Sequence, residues 1–518
     1  MGIKIGTGGL SVEWIIRATG GELCTVAGRG CAAGCGQLGT AETAERRGIS
    51  TDTRTLEAGE IYLALAGERF DGHRFIPAAF ERGASAVICS ALPEDAPEGM
   101  YIVTGDSGQA LLDIAHAYKR ELKQLRNTVA VTGSVGKTTT KQFIYAVLAQ
   151  KYRTEKTEGN FNNLVGMPLT VLSVSPDCEA LVLEMGMSAA GEISRMSRCA
   201  EQDTAVITNI GTAHIGMLGS REGIRDAKLE VLEGLRAGGR LICTDEPLLS
   251  GVSALRLCPD GDIITENIMH SPSGDGMDFD LTVLGEHLGH MHIPVLGEHN
   301  VADAAMAACV GRLHGVSAEQ IRTGLAAFQN VGARQSVKTV HGITAILDCY
   351  NASSESMIAS LGVLHDTAHG GRTVAVLGDM LELGEYSEHL HRKVGRAFEG
   401  MDIDTLYTYG AEARYIADSA GEYVRSVHSY GADERDELAD ALLTELHTGD
   451  TVLFKASNGM RLGELAQELL DRKSRSVSSA VTIKICFGII SCRPSYFIGS
   501  ASMFCCRFYS KNKDSRAI

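Results

Sequence analysis

Short apolar runs recur along the chain, and the stretches between them have apolar residues at helical spacing. An apolar run with helical segments on both sides is typical of a strand that is buried in a parallel sheet. The pattern therefore predicts two doubly wound α/β units with right-handed crossovers between successive strands. The predicted strands are residues 128–132, 180–184, 204–209 and 240–244 in the first unit, and residues 344–347, 373–377, 405–409 and 451–454 in the second.

The first 125 residues carry shorter apolar runs separated by turns, which predicts a smaller α/β unit. Residues 61–66 and 86–89 are predicted strands, and residues 75–82 are a predicted helix between them. Residues 111–125 have the pattern of a polar amphipathic helix, and the glycine- and alanine-rich residues 28–39 predict a loop.

Composition narrows the class of protein. Hydrophobic residues make up 44% of the 518-residue chain and charged residues 22%, as in ordinary soluble globular proteins. The formal net charge of −16 argues against a surface for nucleic acid or for anionic membranes. The 14 cysteines form no C-x-x-C pair, which favours reduced thiols in a cytoplasmic protein and argues against zinc. We expect a monomer. We also expect no membrane insertion, since the uncharged stretches of the C-terminal tail are too short to cross a bilayer.

Residues 128–140 contain the most informative motif: an apolar strand, a glycine turn ending in Lys137 and Thr138, and a predicted helix that begins at Lys141. The glycines allow backbone N–H groups to face phosphate oxygens, because a Cβ would crowd the turn. Lys137 can reach the β- and γ-phosphates, and the Thr138 hydroxyl can ligate Mg²⁺. Val131 replaces the first glycine of the full motif, so a tight turn that binds nothing is the alternative. The predicted nucleotide-binding residues here are Gly133, Ser134, Val135, Gly136, Lys137, Thr138 and Thr139.

The patterns together predict an α/β fold with three domains. A small N-terminal α/β domain spans residues 1–125, a central P-loop ATPase-like parallel sheet spans residues 126–330, and a C-terminal Rossmann-like parallel sheet spans residues 331–473. In the central domain, the polar and glycine-rich residues 260–295 favour antiparallel strands appended to the sheet. Residues 474–518 sustain neither a helical nor a strand period, and we predict that this tail is not part of the fold.

Two side chains follow central strands at the sheet edge where the phosphate loop lies. Glu184 ends its apolar run, and a carboxylate at this place suits Mg²⁺. The alternative is a solvated or helix-capping acid. His214 lies in a glycine-rich loop after the next strand, where it could ligate a second metal or polarise a phosphate. A structural or exposed histidine is the alternative.

Several polar residues elsewhere are weaker candidates. Asn160, Asn162 and Asn163 cluster before an apolar run, and amides can bind a sugar, a phosphate or a carboxylate, although asparagine is also common in turns. Lys228 lies on a predicted helix, where a solvated lysine is the ordinary case. Asn300 caps a predicted helix and could also bond a base edge. The last candidates follow a C-terminal strand, and they are Asp348, Tyr350 and Asn351.

Taken together, these segments resemble the Mur ligase family. The specific match lies in residues 50–54 with 67–73, in residues 348–357, and above all in residues 377–388. The resemblance covers about residues 10–470, and within the family it points to members that use D-alanyl-D-alanine.

The resemblance implies an N-terminal domain for a UDP-sugar, a central ATPase and a C-terminal Rossmann-like domain. The implied reaction joins D-alanyl-D-alanine to UDP-N-acetylmuramoyl-tripeptide and converts ATP to ADP and phosphate through an acyl phosphate. The cofactors that it implies are ATP and two Mg²⁺ ions. Two alternatives are a related ligase, such as a folylpolyglutamate synthase, and a catalytically silent nucleotide-binding scaffold.

The resemblance also assigns roles to residues. Lys137 would stabilise the transferred phosphoryl group, Thr138 and Glu184 would hold one Mg²⁺, and His214 the second. Lys228 matches a lysine that family members carbamylate, which would make it an anionic metal ligand. Asn300 would face adenine, and Arg334 and Asp348 would close onto ATP. The implied substrate-binding residues are Ser50, Asp52, Arg54, Asn160, Asn162, Asn163, Tyr350 and Asn351.

Three positions depart from the family pattern. Asp303 stands where an asparagine is usual, Asn458 where an arginine is usual, and Ser354 where a proline is common. None of these departures removes a residue of the phosphate loop or a predicted metal ligand.

Overall fold

The computed structural model describes residues 11–27, 48–67, 70–330, 334–367 and 370–474. Within them, three sheets with flanking helices follow one another along the chain, which confirms the predicted α/β fold class. The predicted loop at residues 28–39, residues 68–69 of the family motif and residues 475–518 of the tail lie outside the described residues.

The first sheet is small, and its strands are parallel except for Glu22–Val26, which is antiparallel to its neighbour. In spatial order its strands are Glu22–Val26, Gly99–Val103, Ala86–Cys89, Ile61–Leu63 and Ile49–Ser50, beside a hairpin of Ala66–Gly67 and Phe70–Asp71. Its helices are Val12–Thr19, Ile76–Glu81 after a 3₁₀ turn at Gly72–Phe75, and Ser107–Glu121. The predicted helix at residues 111–125 therefore begins and ends four residues early.

The second sheet has nine strands, and it combines a parallel part with an antiparallel extension. The last two strands of this unit, Met277–Val283 and Glu286–Ile293, are antiparallel to their neighbours, as the pattern of residues 260–295 predicted. In spatial order the strands are Glu286–Ile293, Met277–Val283, Ile263–His270, Leu255–Leu257, Arg240–Thr244, Thr204–Ile207, Asn127–Thr132, Ala180–Glu184 and Thr154–Lys156. The α-helices are Lys137–Leu148, Gly166–Ser173, Glu192–Ala200, Ile215–Leu218, Arg221–Leu229, Glu298–Leu313 and Ala318–Ala326, with 3₁₀ turns at Glu230–Gly234 and Pro247–Leu249.

Two helices of this unit cover one face of the sheet because small residues let them approach closely. Helix Glu298–Leu313 is rich in alanine and packs on helix Lys137–Leu148. A Cβ on Gly311 would lie only 2.6 Å from Val147 Cγ1, so a larger residue would push the two helices apart. This packing holds the phosphate-loop helix against the central strand.

The third sheet has six strands, and five of them, including the four that were predicted, are parallel. The edge strand Ser336–Val340 is antiparallel, and neither it nor Ser426–Tyr430 was predicted. In spatial order the strands are Ser336–Val340, Ile343–Leu347, Thr451–Lys455, Thr373–Gly378, Thr405–Tyr409 and Ser426–Tyr430. The helices are Ser354–Thr367, Ser387–Arg396, Arg414–Ala420, Arg435–Glu445 and residues 462–474, with 3₁₀ turns at Gly384–Tyr386 and Asn458–Met460.

Helix Ser107–Glu121 links the first unit to the second. The Tyr118 hydroxyl donates to the Val174 carbonyl oxygen at 2.8 Å, and His116 Nδ1 lies 3.1 Å from the Cys199 carbonyl oxygen. In the part of the chain that the structure describes, none of the helices has both the length and the apolar character that crossing a membrane requires.

Candidate functional site

The glycine turn between strand Asn127–Thr132 and helix Lys137–Leu148 forms the centre of the site. The helix begins at Lys137, so the predicted start at Lys141 was wrong by one turn. Gly136 has a φ of 84°, and a Cβ there would lie 2.8 Å from Asp303 Oδ1. A Cβ on Gly133 would overlap the Thr208 hydroxyl. The turn therefore requires glycine at both positions, and the unpaired N–H groups of the first helical turn form an anion-binding end.

Lys137 folds back over this turn. Its ammonium donates to the carbonyl oxygens of Gly133 at 2.8 Å and Ser134 at 3.3 Å. Burial lowers the pKa of Lys137, while the Glu184 carboxylate acts in the opposite direction. The ammonium thus lies at the mouth of the loop, where a phosphate oxygen could replace its carbonyl partners.

The Glu184 carboxylate contacts three polar side chains at this edge of the sheet. Its Oε2 accepts from the Thr138 hydroxyl at 2.9 Å and pairs with Lys141 Nζ at 3.0 Å, and its Oε1 accepts from Asn162 Nδ2 at 2.8 Å. Burial acts to raise the pKa of Glu184, but the charges of Lys141 and Lys137 outweigh it and lower the pKa. The side chain is therefore an ionised carboxylate next to the phosphate loop.

His214 and Lys228 also lie near the phosphate loop. His214 precedes helix Ile215–Leu218 and bonds Glu382 Oε2 through Nδ1 at 2.9 Å. Lys228 is 2% exposed, and no carboxylate of the described residues pairs with it. Burial, together with the charge of Lys137, holds the pKa of Lys228 well below its ordinary value. Such a shift favours the neutral amine over the ammonium.

A cavity of about 440 Å³ opens in front of the phosphate loop, and two units of the chain form its walls. The central unit contributes residues 134–138, Asn162, Asn163, Glu184 and His214. The third unit contributes Arg334, Tyr350, Asn351, Ser353 and Ser356. The Arg334 guanidinium stacks on the Tyr350 ring at 4.0 Å from its centre. The cavity thus joins phosphate-binding groups to a second polar wall.

A smaller cavity lies on the other side of the loop, lined by Thr139, Asn300, Asp303, Arg334 and Asp348 among others. Asn300 Nδ2 donates to the Leu296 carbonyl oxygen at 2.6 Å and to Gln335 Oε1 at 2.8 Å. Among the described contacts its amide oxygen has no donor, so it could accept from a ligand. Asn300 lies in the first turn of helix Glu298–Leu313 and does not cap it, because the N-cap residue is Gly297.

Two acids of this smaller cavity, the buried Asp303 and the partly buried Asp348, differ in charge state. Asp348 accepts from Lys455 Nζ at 2.6 Å and from the Ser360 hydroxyl at 2.8 Å. Burial acts to raise its pKa, but the Lys455 charge, the hydrogen bonds from Lys455 and Ser360, and the Arg334 charge together outweigh burial and lower it. Asp303 accepts only from the Thr140 hydroxyl, at 2.9 Å among the described contacts. Burial raises the pKa of Asp303 to about 8, so it is a neutral acid near pH 7.

The residues present fit a magnesium nucleotide. A hard cation prefers oxygen ligands and commonly combines one or two protein oxygens with phosphate oxygens and water. Glu184 and Thr138 offer an ionised carboxylate and a hydroxyl beside the loop. In the described residues, no group of three or more His, Cys, Asp or Glu side chains could hold a metal alone, so the nucleotide would have to supply further ligands.

Comparisons with known proteins agree with this geometry. Three family models match the chain: "Mur ligase family, catalytic domain" over residues 45–117, "Mur ligase middle domain" over residues 131–311, and "Mur ligase, glutamate ligase domain" over residues 333–458. A UDP-N-acetylmuramoyl-tripeptide–D-alanyl-D-alanine ligase of Bacillus subtilis is 41% identical over 82% of this chain and 93% of its own length. The chain belongs to the Mur ligase family.

Solved structures of Mur ligases agree in fold. A MurF of Acinetobacter baumannii superposes with a TM-score of 0.80 at 29% identity, covering 90% of this chain and 99% of its own. The MurF ligase of Thermotoga maritima, solved in complex with ADP, has a TM-score of 0.73 at 28% identity and covers 83% of this chain and 98% of its own. The three-domain Mur ligase architecture therefore accounts for the three sheets.

Some predicted residues of this Mur ligase lie outside the two cavities. Ser50, Asp52 and Arg54 are in the first unit, where the Arg54 guanidinium pairs with Asp52 at 2.7 Å and the Ser50 hydroxyl donates to the Asp52 carbonyl oxygen. Asn160 accepts from the Asn162 backbone N–H through its carbonyl oxygen, as in a turn. Lys228 is near the loop but does not line either cavity.

Sequence reasoning missed several residues that complete the site. Lys141 pairs with Glu184, and Lys455 pairs with Asp348. Glu355 accepts from the Thr212 hydroxyl at 2.9 Å across the two units. A signal existed for Lys141, which lies one helical turn after Lys137 and therefore on the same face. The other pairs join segments far apart in the chain, and no local pattern indicates them.

Proposed function

We propose that this chain is an ATP-dependent ligase that joins D-alanyl-D-alanine to UDP-N-acetylmuramoyl-tripeptide. The observation that carries the proposal is the cavity in which the phosphate loop, Glu184 and the third unit face one another. The 41% identity to a ligase of that name, along most of both chains, favours this activity over a folylpolyglutamate synthase.

The chemistry follows from the weak electrophilicity of a carboxylate. In the first step, a carboxylate oxygen of the tripeptide bonds to the γ-phosphorus of ATP, and the bond from that phosphorus to the β-phosphate oxygen breaks. In the second step, the amine of the dipeptide bonds to the acyl carbon, phosphate leaves, and the nitrogen loses a proton. The products are an amide, ADP and phosphate. Bound Mg²⁺ would neutralise phosphate charge during transfer.

The chain's own groups have distinct parts in this reaction. Lys137 and the N–H groups of the first helical turn bind phosphate oxygens and stabilise the transferred group. Thr138 and Glu184 would hold one Mg²⁺, and Lys141 pairs with that carboxylate and favours its ionised form. Asn300 offers its amide oxygen to the base, and Arg334 with Asp348 closes the nucleotide cavity from the third unit.

A second metal ion would bind at His214 and at a modified Lys228. Lys228 is buried beside Lys137 and has no acid partner among the described residues, which favours its neutral amine. A neutral amine can bond to CO₂, and loss of a proton then leaves a carbamate. That anion supplies the oxygen ligand that an ammonium could not.

The remaining assignments belong to the same proposal. Residues 1–125 hold the UDP-sugar near Ser50, Asp52 and Arg54, residues 126–330 bind ATP, and residues 331–473 complete the ligase site. Asn160, Asn162, Asn163, Tyr350 and Asn351 bind the substrates. The protein acts as a cytoplasmic monomer.

A phosphate-release assay tests the proposed function. The full chain is mixed with ATP, Mg²⁺, D-alanyl-D-alanine and UDP-N-acetylmuramoyl-tripeptide, with either lysine or diaminopimelate as the third residue. We expect phosphate release that requires both substrates, and an amide product of matching mass. Release no greater than with ATP alone, for both tripeptides, would favour the silent scaffold. Release that depends instead on glutamate and a folate would favour the synthase.

A further inference from the structure

A loop of the third unit is packed on the turn that carries His214. A Cβ on Gly216 would lie 2.8 Å from both the Glu382 carbonyl oxygen and the Gly384 nitrogen. The Tyr386 hydroxyl donates to the Gly219 carbonyl oxygen at 2.6 Å. The two segments thus touch along their backbones, and only a glycine fits at residue 216.

This packing brings two strained residues together. His214 has a φ of 65° and Glu382 a φ of 64°, both in the left-handed region that non-glycine residues seldom adopt. Their side chains meet at 2.9 Å, between His214 Nδ1 and Glu382 Oε2. Backbone strain of this kind persists where surrounding contacts determine the conformation, and it clusters at functional sites.

The hydrogen bond decides which imidazole nitrogen is available. A carboxylate only accepts hydrogen bonds, so Nδ1 carries the proton and Nε2 keeps its lone pair. Histidines that ligate metals commonly donate the other ring N–H to a carboxylate, which fixes their orientation. His214 lines the main cavity together with Glu184 and the phosphate loop, whereas Glu382 is not among its lining residues.

We propose that Glu382 is a positioning residue that orients His214 toward the magnesium nucleotide, so that docking of the third unit completes the metal site. The inference rests on the proposed function for the identity of the nucleotide. A purely stabilising role is a poor account of the pair, because the Glu382 side chain is 63% exposed and exposed ion pairs contribute little to stability.

The test compares Glu382→Ala and Glu382→Gln with a control from the same loop, Glu385→Ala. Glu385 is exposed, and no side-chain contact to it is found among the described residues. Mn²⁺ replaces Mg²⁺, and its binding to each full-length chain with a non-hydrolysable ATP analogue is measured by electron paramagnetic resonance. Electron spin echo modulation then detects a histidine nitrogen bound to Mn²⁺.

We expect Glu382→Ala to weaken Mn²⁺ binding roughly tenfold and to reduce the nitrogen modulation, as loss of an outer-shell partner does at metal sites. Glu382→Gln should recover part of the affinity, because its amide oxygen can still accept from Nδ1. Glu385→Ala should match the unchanged chain, and all variants should keep its melting temperature. Mn²⁺ affinity and modulation in Glu382→Ala equal to those of the unchanged chain would overturn the proposal.

The same samples separate this inference from the proposed function. An unchanged chain that releases no phosphate with the tripeptide and dipeptide contradicts the proposed function, while a loss of Mn²⁺ binding in Glu382→Ala still supports the positioning role. Normal phosphate release together with unaltered Mn²⁺ binding in that variant contradicts only the positioning role.

Discussion

Lys141 Nζ lies 3.0 Å from Glu184 Oε2, and each side chain is only 1% exposed. Such a pair is sensitive to the removal of one partner, because the other charge is left buried without compensation. The pair also fixes the carboxylate that bonds the Thr138 hydroxyl and the Asn162 amide. The stability of the fold and the geometry of the site therefore depend on the same two residues.

Replacing Lys141 with methionine is expected to destabilise the central unit by about 3–5 kcal/mol, the usual effect of breaking a buried ion pair. The measurement is chemical denaturation, followed through the transition that an ATP analogue shifts. The control is Arg198→Met, which removes an exposed pair with Glu233 and should change stability by less than about 1 kcal/mol. Equal effects of the two substitutions would refute the special role of the buried pair.

Replacing Lys137 with alanine is expected to abolish turnover and to leave the fold intact. Among the described contacts the ammonium bonds two carbonyl oxygens of its own loop, and the nearby Glu184 carboxylate keeps its ion pair with Lys141 when Lys137 is removed. Loss of one such transition-state contact lowers kcat by at least about 10²–10³. Phosphate release and circular dichroism measure the two properties, and near-normal turnover would exclude the assigned role.

Replacing Lys228 with alanine is expected to inactivate the enzyme, and a short carboxylate in solution should restore part of the activity. The truncated side chain leaves a buried space beside Lys137 in which acetate or propionate could take the place of the proposed carbamate. Turnover is measured across a series of carboxylate concentrations, with matched chloride as the control. A variant that works without added carboxylate would show that carbamylation is not required.

Asp303 gives a pH dependence whose sign follows from its raised pKa. Its ordinary pKa is 3.8 and burial raises it to about 8, so between these values the folded chain holds a proton that the unfolded chain has lost. The free energy of unfolding therefore falls as pH rises through this window, and the stabilising contribution is fully lost above about pH 8. Replacing Asp303 with asparagine removes this titratable carboxyl group.

We expect the stability of Asp303→Asn relative to the unchanged chain to increase from about pH 4 to about pH 8 and then to level off. The KM for ATP of the unchanged chain should rise above pH 8, since a carboxylate beside Gly136 would repel phosphate, and the variant should lack this rise. Denaturation midpoints and KM values from pH 6 to 9 provide the check. Parallel pH profiles for the two chains would contradict the assignment.

The sequence predicts the sheets well where strands are fully buried. Runs such as residues 128–132 and 451–454 are apolar on both faces, which is the pattern of a strand that is buried in a parallel sheet. Edge strands such as Ser336–Val340 consist mostly of exposed residues, so their sequences give only a weak indication of a strand. The start of the phosphate-loop helix was misjudged because its first turn is polar, and that turn faces the site rather than the core.

The residues of the candidate site also fall into two groups, those that a local pattern indicates and those that it does not. The loop glycines, Lys137 and Glu184 could be found because a local motif and a strand end indicate them. The Glu382 contact with His214, the Glu355 contact with Thr212 and the Asn300 contact with Gln335 depend on how separate units dock. Docking is decided by contacts between distant segments, so no local pattern in a single sequence carries that information.

Arg334 lines both the larger and the smaller cavity, and this shared side chain has a consequence for inhibition. Groups bound in the two cavities would share this guanidinium, and any effect of one occupant on the affinity of the other is reciprocal, by the same factor. The potency of a compound aimed at one cavity would then vary with the concentration of the ligand in the other. Screening at a single fixed concentration of ATP would misrank such compounds.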